Sequence, residues 1–285
     1  MILHDYSGLQ IANLMIQVEG NKDDLNEVSE DLLRHMILTN LKNQHLKFKK
    51  RYGELILCMD ADHYWRRDAF PEYKWKRKED KKNSELDWDR LYVMLNKIQE
   101  EIKANLPYKV IHVDGAEADD IIGVLAKKLH IIEPMLIISN DKDFFQLQRY
   151  KNIKQYRPAT EKIYVEDEPI AYLREHIIRG DKGDGIPNFK SPDNSFVIGK
   201  RQKSIMTKDM LMYLEQTPEE FCEDEEQLKN FKRNEKLVDL AQTPQDIQRA
   251  IYEQYENYKV NKRSKVVNYF MQKGLKQLLE SVNDF

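Results

Sequence analysis

Four short apolar runs, each leading into acidic residues, constrain this chain more than any other feature. Ile2 to His4 ends on Asp5, and Leu55-Ile-Leu-Cys-Met59 ends on Asp60. Val110-Ile-His-Val113 enters an Asp114-Gly115 turn followed by Glu117, Asp119 and Asp120. Met135-Leu-Ile-Ile138 leads to Asp141 and Asp143. Runs of this length separated by helix-length segments read as buried strands alternating with helices, which is an α/β fold. Open sheets of that kind place their sites outside the carboxyl ends of the strands. Each acid also has an ordinary use, since carboxylates in a first helical turn complement the dipole and Asp beside Asn or Ser is common turn chemistry. The repetition at every strand end is what those uses leave unexplained.

The rest of the chain supplies the context. Its 285 residues suffice for two lobes. A net charge of −3 hides a mixture in which 33% of residues are charged, so only local clustering can indicate a polyanionic partner. Cys58 and Cys222 form neither a disulfide framework nor a Cys-x-x-Cys pair, and they fit a reducing cytoplasm. No apolar stretch reaches membrane length and the opening residues leave no room for a signal peptide, so a cytoplasmic protein is expected. Leu25, Val28, Leu32, Met36 and Leu41 predict an amphipathic helix over 24–48. From Tyr64 to Lys82 aromatics alternate with eight cations, among them Arg66, Arg67, Lys74, Lys76 and Arg77. Aromatic faces for bases and cations for phosphates suit a single-strand path, and the same composition suits a solvated helix with its aromatics in the core. Residues 153–165 predict a small hairpin and 169–179 a helix stopped by Gly180. The turn after it carries Asp181 and Asp184, and everything beyond is helical. The two characters divide near residue 165 and predict two lobes with the acids at their junction.

Gathering so many carboxylates is unfavourable, because two like charges 4 Å apart repel by about 4 kcal/mol at an effective dielectric of 20. Such a cluster persists if its pKa values rise or if divalent ions neutralise it. Oxygen ligands without Cys or His favour hard ions, Mg²⁺ or Mn²⁺ over zinc. Two such ions about 4 Å apart serve in-line displacement at phosphorus. The acids and the cationic segment then explain one another, one as the cutting centre and the other as the grip.

Together these motifs resemble the 5′-nuclease (flap endonuclease) superfamily, specifically its phage-type RNase H branch. The resemblance is carried by Asp5 and by Leu57-Cys-Met-Asp60 followed by Tyr64-Trp-Arg-Arg-Asp68. It continues through Glu117-Ala-Asp-Asp120, Ser139-Asn-Asp-Lys-Asp-Phe144, Gly180-Asp-Lys-Gly-Asp184 and the ending Tyr269 to Leu275. It implies a central twisted, mostly parallel sheet flanked by helices, a helical arch over about 64–90 and a smaller helical lobe that grips duplex. The nuclease domain would span 1–165 and the duplex-binding domain 166–285.

Carried over by position, the resemblance implies two Mg²⁺ (or Mn²⁺). Asp5, Asp60, Asp119 and Asp141 would hold the first, with Glu117 and Asp120 close by, and Asp143, Asp181 and Asp184 would hold the second. Lys74 would contact the scissile phosphate with Arg66 beside it, and Tyr64, Trp65, Arg67, Lys76 and Arg77 would line the strand's path. The family's Gly-hydrophobic-Gly-x-Lys hairpin is replaced here by Val197-Ile-Gly-Lys-Arg-Gln-Lys-Ser204, leaving Lys200, Arg201 and Lys203 to neutralise duplex phosphates. The implied activity is 5′→3′ removal of RNA primers and adjoining DNA together with flap cutting. Its substrates would be RNA–DNA hybrids, nicked duplexes and 5′-flaps, met by a monomer in the host cytoplasm, with a single-strand-binding protein and a sliding clamp as partners. Two other classes compete: a structure-specific nucleic-acid binder without catalysis, and a metal-dependent small-molecule phosphatase. A binder gains nothing from carboxylates beside phosphates, and a phosphatase leaves the cationic segment without a use. All of this requires Asp5, Asp60, Asp119, Asp141 and Asp184 to converge; coordinates that scatter them over separate faces would remove it.

Overall fold

A computed structural model describes residues 1–21 and 27–285 of the chain. The apolar runs form strands β1 (Ile2–Asp5), β2 (Leu55–Cys58), β3 (Lys109–Ile111) and β4 (Met135–Ile138), all parallel. Strand β5 (Ile153–Arg157) adds a fifth parallel strand and β6 (Lys162–Tyr164) an antiparallel edge. The expected hairpin is therefore real, and its first strand also extends the main sheet. The order is β3-β2-β1-β4-β5-β6. The chain builds outward from β1 in one direction and then crosses to the other side at β4. The crevice at the carboxyl ends of β1 and β4 is thus the topological switch point of an open sheet, and Asp5 and Asp141 stand beside it.

Alternation along the strands decides which residues face which layer. Ile2, Leu55, Leu57, Leu136 and Ile138 turn towards helices α1 (Tyr6–Gly20), α2 (Glu30–Tyr52) and α5 (Trp88–Asn105). Leu3, Ile56, Cys58, Ile111 and Ile137 turn towards α6 (Ala118–Leu129) and the later α11 (Gln245–Asn257). A third cluster, including Leu173, Ile178, Phe189, Phe221 and Phe231, forms the second lobe around α7 (Pro169–Arg179) and α10 (Glu225–Val238), and Tyr64, Phe70 and Tyr73 insert into it.

Helix α2 starts later than expected because Ser29 caps it, accepting from the Leu32 amide. Its buried stripe is Leu33, Ile37, Leu38, Leu41 and Phe48, while Leu32 is half exposed; Leu25 lies outside the described residues. The segment expected to form an arch is broken in two. Helix α3 (Trp65–Ala69) stops at Phe70, which is extended ahead of Pro71, and α4 (Trp75–Lys82) restarts after Lys74, which adopts a left-handed φ of 55°. None of α4 is buried, and seven of its eight residues are charged.

The packing also departs from a division at residue 165. Val266, Tyr269, Phe270, Leu278 and Phe285, from α12 (Arg263–Gln272) onward, join the α/β core with α5, so the chain returns to its first lobe after building the second. Among the described residues no helix is long and apolar enough to cross a membrane.

One ion cluster ties this return together. The Arg34 guanidinium, 1% exposed, donates to Glu101 through Nε at 2.5 Å and also to Asp31, while Glu101 accepts from Tyr269 Oη and pairs with Lys273. Arg34→Ala leaves Glu101 without its main partner and should cost about 3 kcal/mol in urea unfolding. A loss below about 1 kcal/mol, the range of exposed pairs, would mean that the cluster contributes only as much as a surface contact.

Candidate metal centre and nucleic-acid interface

Each acid is presented by a local device. Asp5 ends β1 and caps α1, its Oδ1 accepting from the Gly8 amide at 2.8 Å and its Oδ2 from Ser139 Oγ at 2.7 Å. A Cβ on Gly8 would lie 2.5 Å from Asp5 Oδ2, so a larger residue there would displace the Asp5 carboxylate from this position. Asp60 is exposed, accepts from the Ala118 amide at 2.7 Å and donates its own amide to Ser7 Oγ. Asp141 is exposed beyond β4, with its amide bonded to Ser139 Oγ. Asp119 lies in the first turn of α6, and Asp143 opens a 3₁₀ turn over Asp143–Arg149. Gly180, at φ 67°, lets the chain double back so that Asp181 faces Asp143; a Cβ there would sit 2.3 Å from the Ile186 carbonyl oxygen.

The acids converge and then separate into two groups. Burial and the charges of Asp60 and Asp141 push the Asp5 carboxyl up to about 6. Burial and Asp141 hold Asp119 well above the usual range, with Asp5 and Glu117 adding to it. Burial and Asp141 push Asp143 up to about 7. These carboxylates crowd one another without enough positive charge. Their oxygen donors fit hard divalent ions, which would relieve that crowding.

Glu117, Asp120 and Asp184 already have partners. Asp120, fully buried, accepts from Arg66 at 2.8 Å, the Glu117 amide at 3.0 Å, Trp65 Nε1 at 3.2 Å and Thr243 Oγ1 at 2.7 Å. Four donors occupy its lone pairs. Glu117 accepts from Arg66 at 2.9 Å and from Lys74 Nζ at 2.5 Å. Asp184 accepts from Arg77 at 2.5 Å, and its backbone oxygen accepts from the Lys74 amide at 2.7 Å. The Tyr73 hydroxyl lies within hydrogen-bond distance of both, 3.1 Å from Glu117 and 2.9 Å from Asp184.

Several expected contacts of the cationic segment are therefore internal. Arg66 is 2% exposed, locked to Glu117, Asp120 and the Leu237 carbonyl, and does not stand beside Lys74 on the open face. Trp65 is buried against Asp120 and is not available to a strand. Lys74 is held between Glu117 and Asp184 yet lines a cavity of about 660 Å³ together with Asp60, Arg67, Arg77, Lys78 and Lys81. Tyr64, Trp88 and Tyr92 supply aromatic walls. A second cavity, about 580 Å³, is lined by Asp5, Asp141, Asp143 and Asp181. Lys76 is exposed on α4. Lys200, Arg201 and Lys203 are exposed on a loop without helix, tied down where Ser191 Oγ accepts the Lys203 amide and Asn188 Nδ2 donates to the Lys203 carbonyl.

Sequence reasoning missed Ser139, Gly8, Tyr73 and His176. Ser139 sits inside a motif already singled out. His176 has no local signal; it meets Asp143 and Asp181 only in the folded chain.

Comparison with known proteins agrees with this geometry. Residues 31–174 match the model of the 5′-3′ exonuclease N-terminal resolvase-like domain, and residues 170–285 match that of the T4 RNase H C-terminal region. Ribonuclease H of Enterobacteria phage T4 is 32% identical over 99% of this chain and 95% of its own length. A 5′-3′ exonuclease of Buchnera aphidicola is 32% identical over 53% of this chain and 51% of its own length. The T5 5′-exonuclease with bound zinc superposes over 90% of this chain and 98% of its own with a TM-score of 0.61 at 15% identity. The T5 flap endonuclease in a pseudo-enzyme–product complex with DNA and metal ions gives the same TM-score at 16% identity, over 90% and 97% of the two chains.

Raised carboxyls have a consequence for stability. In the unfolded chain Asp5 and Asp143 titrate near 3.9, and in the fold near 6 and 7. Their stabilising contribution is complete below pH 4 and is lost as pH rises through 6 to 7. The melting temperature of the metal-free protein should fall between pH 5 and 8 by more than that of the Asp5→Asn, Asp143→Asn double variant, and Mg²⁺ should reverse the fall. Equal pH slopes in the two proteins would show that the carboxylates are not crowded.

Proposed function

This chain belongs to the 5′-3′ exonuclease family, in the branch of T4 RNase H, and from that premise we propose that it is a two-ion nuclease acting on the 5′ ends of lagging-strand fragments. The observation that carries the reading is a set of carboxylates at the strand ends that line two cavities, one of them also walled by cations and aromatic rings. Asp5, Asp60, Asp119 and Asp141 would hold one Mg²⁺ or Mn²⁺, and the cluster around Asp143 and Asp181 would hold the other. Such ions, when bound, lower the pKa of a water and offset the charge that grows on the leaving oxygen. The protein's own residues do the rest.

Lys74, fixed by Glu117 and by its own strained backbone, directs its ammonium towards the phosphate above Asp60. Arg67, Arg77, Lys78 and Lys81 follow the phosphates of the displaced 5′ strand, with Tyr64, Trp88 and Tyr92 beside its bases. Exposed Lys76 extends that cationic face. Lys200, Arg201 and Lys203 neutralise the duplex behind it. Arg66, Trp65, Asp120 and Asp184 are positioning residues, which fix the base of the arch against the start of α6. The substrates are RNA–DNA hybrid, nicked duplex and 5′-flap DNA. Primer removal by a monomer in the host cytoplasm follows, with single-strand-binding protein and sliding clamp as partners.

Asp119→Asn or Asp141→Asn should nearly abolish nucleotide release from a 5′-labelled RNA–DNA hybrid while binding changes only a few-fold. Undiminished turnover in both would eliminate the ion assignment. Lys74→Ala should lower kcat by about 10²-fold with little change in binding; equal losses in both would reduce Lys74 to a grip. Arg66→Ala should instead unfold at lower urea, and its refolded fraction should keep near-normal kcat. A panel of hybrid, nicked and flap substrates, run with Mg²⁺ and with chelator, separates primer removal from flap cutting.

A further inference from the structure

His176 stands among the open carboxylates, and the hydrolytic scheme has no use for it. It occupies the last turn of α7 and reaches back to the acids, Nε2 lying 3.1 Å from Asp181 Oδ2 and Nδ1 lying 3.5 Å from Asp143 Oδ1. The first contact is a hydrogen bond. The second is not, and Nδ1 is shielded from solvent without a hydrogen-bond partner. In a neutral ring the bond to Asp181 puts the proton on Nε2 and a lone pair on Nδ1. That lone pair then faces the Asp143 carboxylate, an approach that either a proton on Nδ1 or a metal ion between the two atoms relieves.

The spacing accommodates one. Asp143, His176 and Asp181 each offer a ligand atom within 4.8 Å of the others. Ligand atoms around an ion with bonds of about 2.1 Å lie about 3 Å or more apart, so the 3.5 Å between Nδ1 and Asp143 Oδ1 suits two ligands on one ion. Carboxylate, imidazole and ion in that order is the arrangement by which an outer carboxylate orients a ligating histidine. Asp184, expected to share this site, is engaged instead by Arg77 and Tyr73.

We propose that the second ion position is a mixed nitrogen–oxygen site, in which His176 Nδ1 and Asp143 ligate directly and Asp181 orients the imidazole. Resting on the two-ion reading above, it makes this position favour Mn²⁺ or Co²⁺ over Mg²⁺, because imidazole binds later first-row ions better than it binds magnesium.

Binding is measured on the full chain without substrate, by calorimetric titration with Mn²⁺ and Mg²⁺ and by the visible absorption of bound Co²⁺. Wild type should take up two Mn²⁺. In His176→Ala one of the two events should weaken at least tenfold for Mn²⁺ and less than threefold for Mg²⁺, with a changed Co²⁺ spectrum. His176→Asp, which restores an oxygen donor, should bind Mg²⁺ as wild type does and lose the preference for Mn²⁺. Asp60→Asn should weaken the other event and leave that preference intact. Two ions bound with the same Mn²⁺ to Mg²⁺ ratio in wild type and both His176 variants would overturn the proposal and leave the nuclease reading standing. A wild-type chain that binds no divalent ion would overturn both.

Discussion

Repulsion among carboxylates at the edge of one sheet is the constraint on which the rest of this structure depends. Strand ends and helix starts gather these acids, and burial together with the neighbouring charge of Asp141 raises the carboxyls of Asp5, Asp119 and Asp143. The chain answers unevenly. Behind the row, Arg66, Lys74 and Arg77 satisfy Glu117, Asp120 and Asp184 with ion pairs of 2.5 to 2.9 Å. Asp143 and Asp181 share His176, and Asp5, Asp119 and Asp143 keep raised carboxyls that a divalent ion would relieve. The asymmetry lets part of so acidic a cluster fold as ion pairs while the rest keeps oxygen donors that suit a divalent ion.

The same asymmetry joins the two lobes. The segment from Tyr64 to Lys82 begins pinned to the Asp114-Gly115 turn, where the Trp65 amide donates to the Gly115 carbonyl. It inserts Phe70 and Tyr73 into the second lobe's core and then contributes Lys74 and Arg77 to the acids. Gly185 makes this close approach possible, since a Cβ there would meet the Glu72 carbonyl oxygen at 2.9 Å. Cations read as a grip for nucleic acid thus serve twice, holding the arch to the site and walling the cavity beside it. A charge shared in this way fixes geometry as well as sign, because Lys74 cannot move without releasing Glu117.

Much of the fold was legible because its signals are local. Buried parallel strands announce themselves as continuous apolar runs, and Gly180 and Pro169 mark the two ends of α7 as turn and helix chemistry require. Where reading failed, a competing interaction decided. Leu33 and Ile37 replace Leu32 and Met36 on the buried face of α2 while Leu41 is buried as expected, because packing against α1 and β1 selects the face. Arg66 and Trp65 are composed like substrate contacts, yet desolvation beside Asp120 favours burying them as its partners. The last helices read as part of a second lobe, and the Arg34–Glu101–Tyr269 cluster draws them back to the first.

By itself, the sequence determined the alternating architecture, the acidic ends of its strands and the family to which those motifs belong, since periodicity and ordered motifs are properties of the chain read in one dimension. Only the tertiary structure decided which acids remain open and which are neutralised, that Asp184 serves the arch, and that His176 stands between Asp143 and Asp181. Those outcomes depend on contacts between separate elements of the chain, and the distances that select them exist only after the sheet has brought the strand ends together.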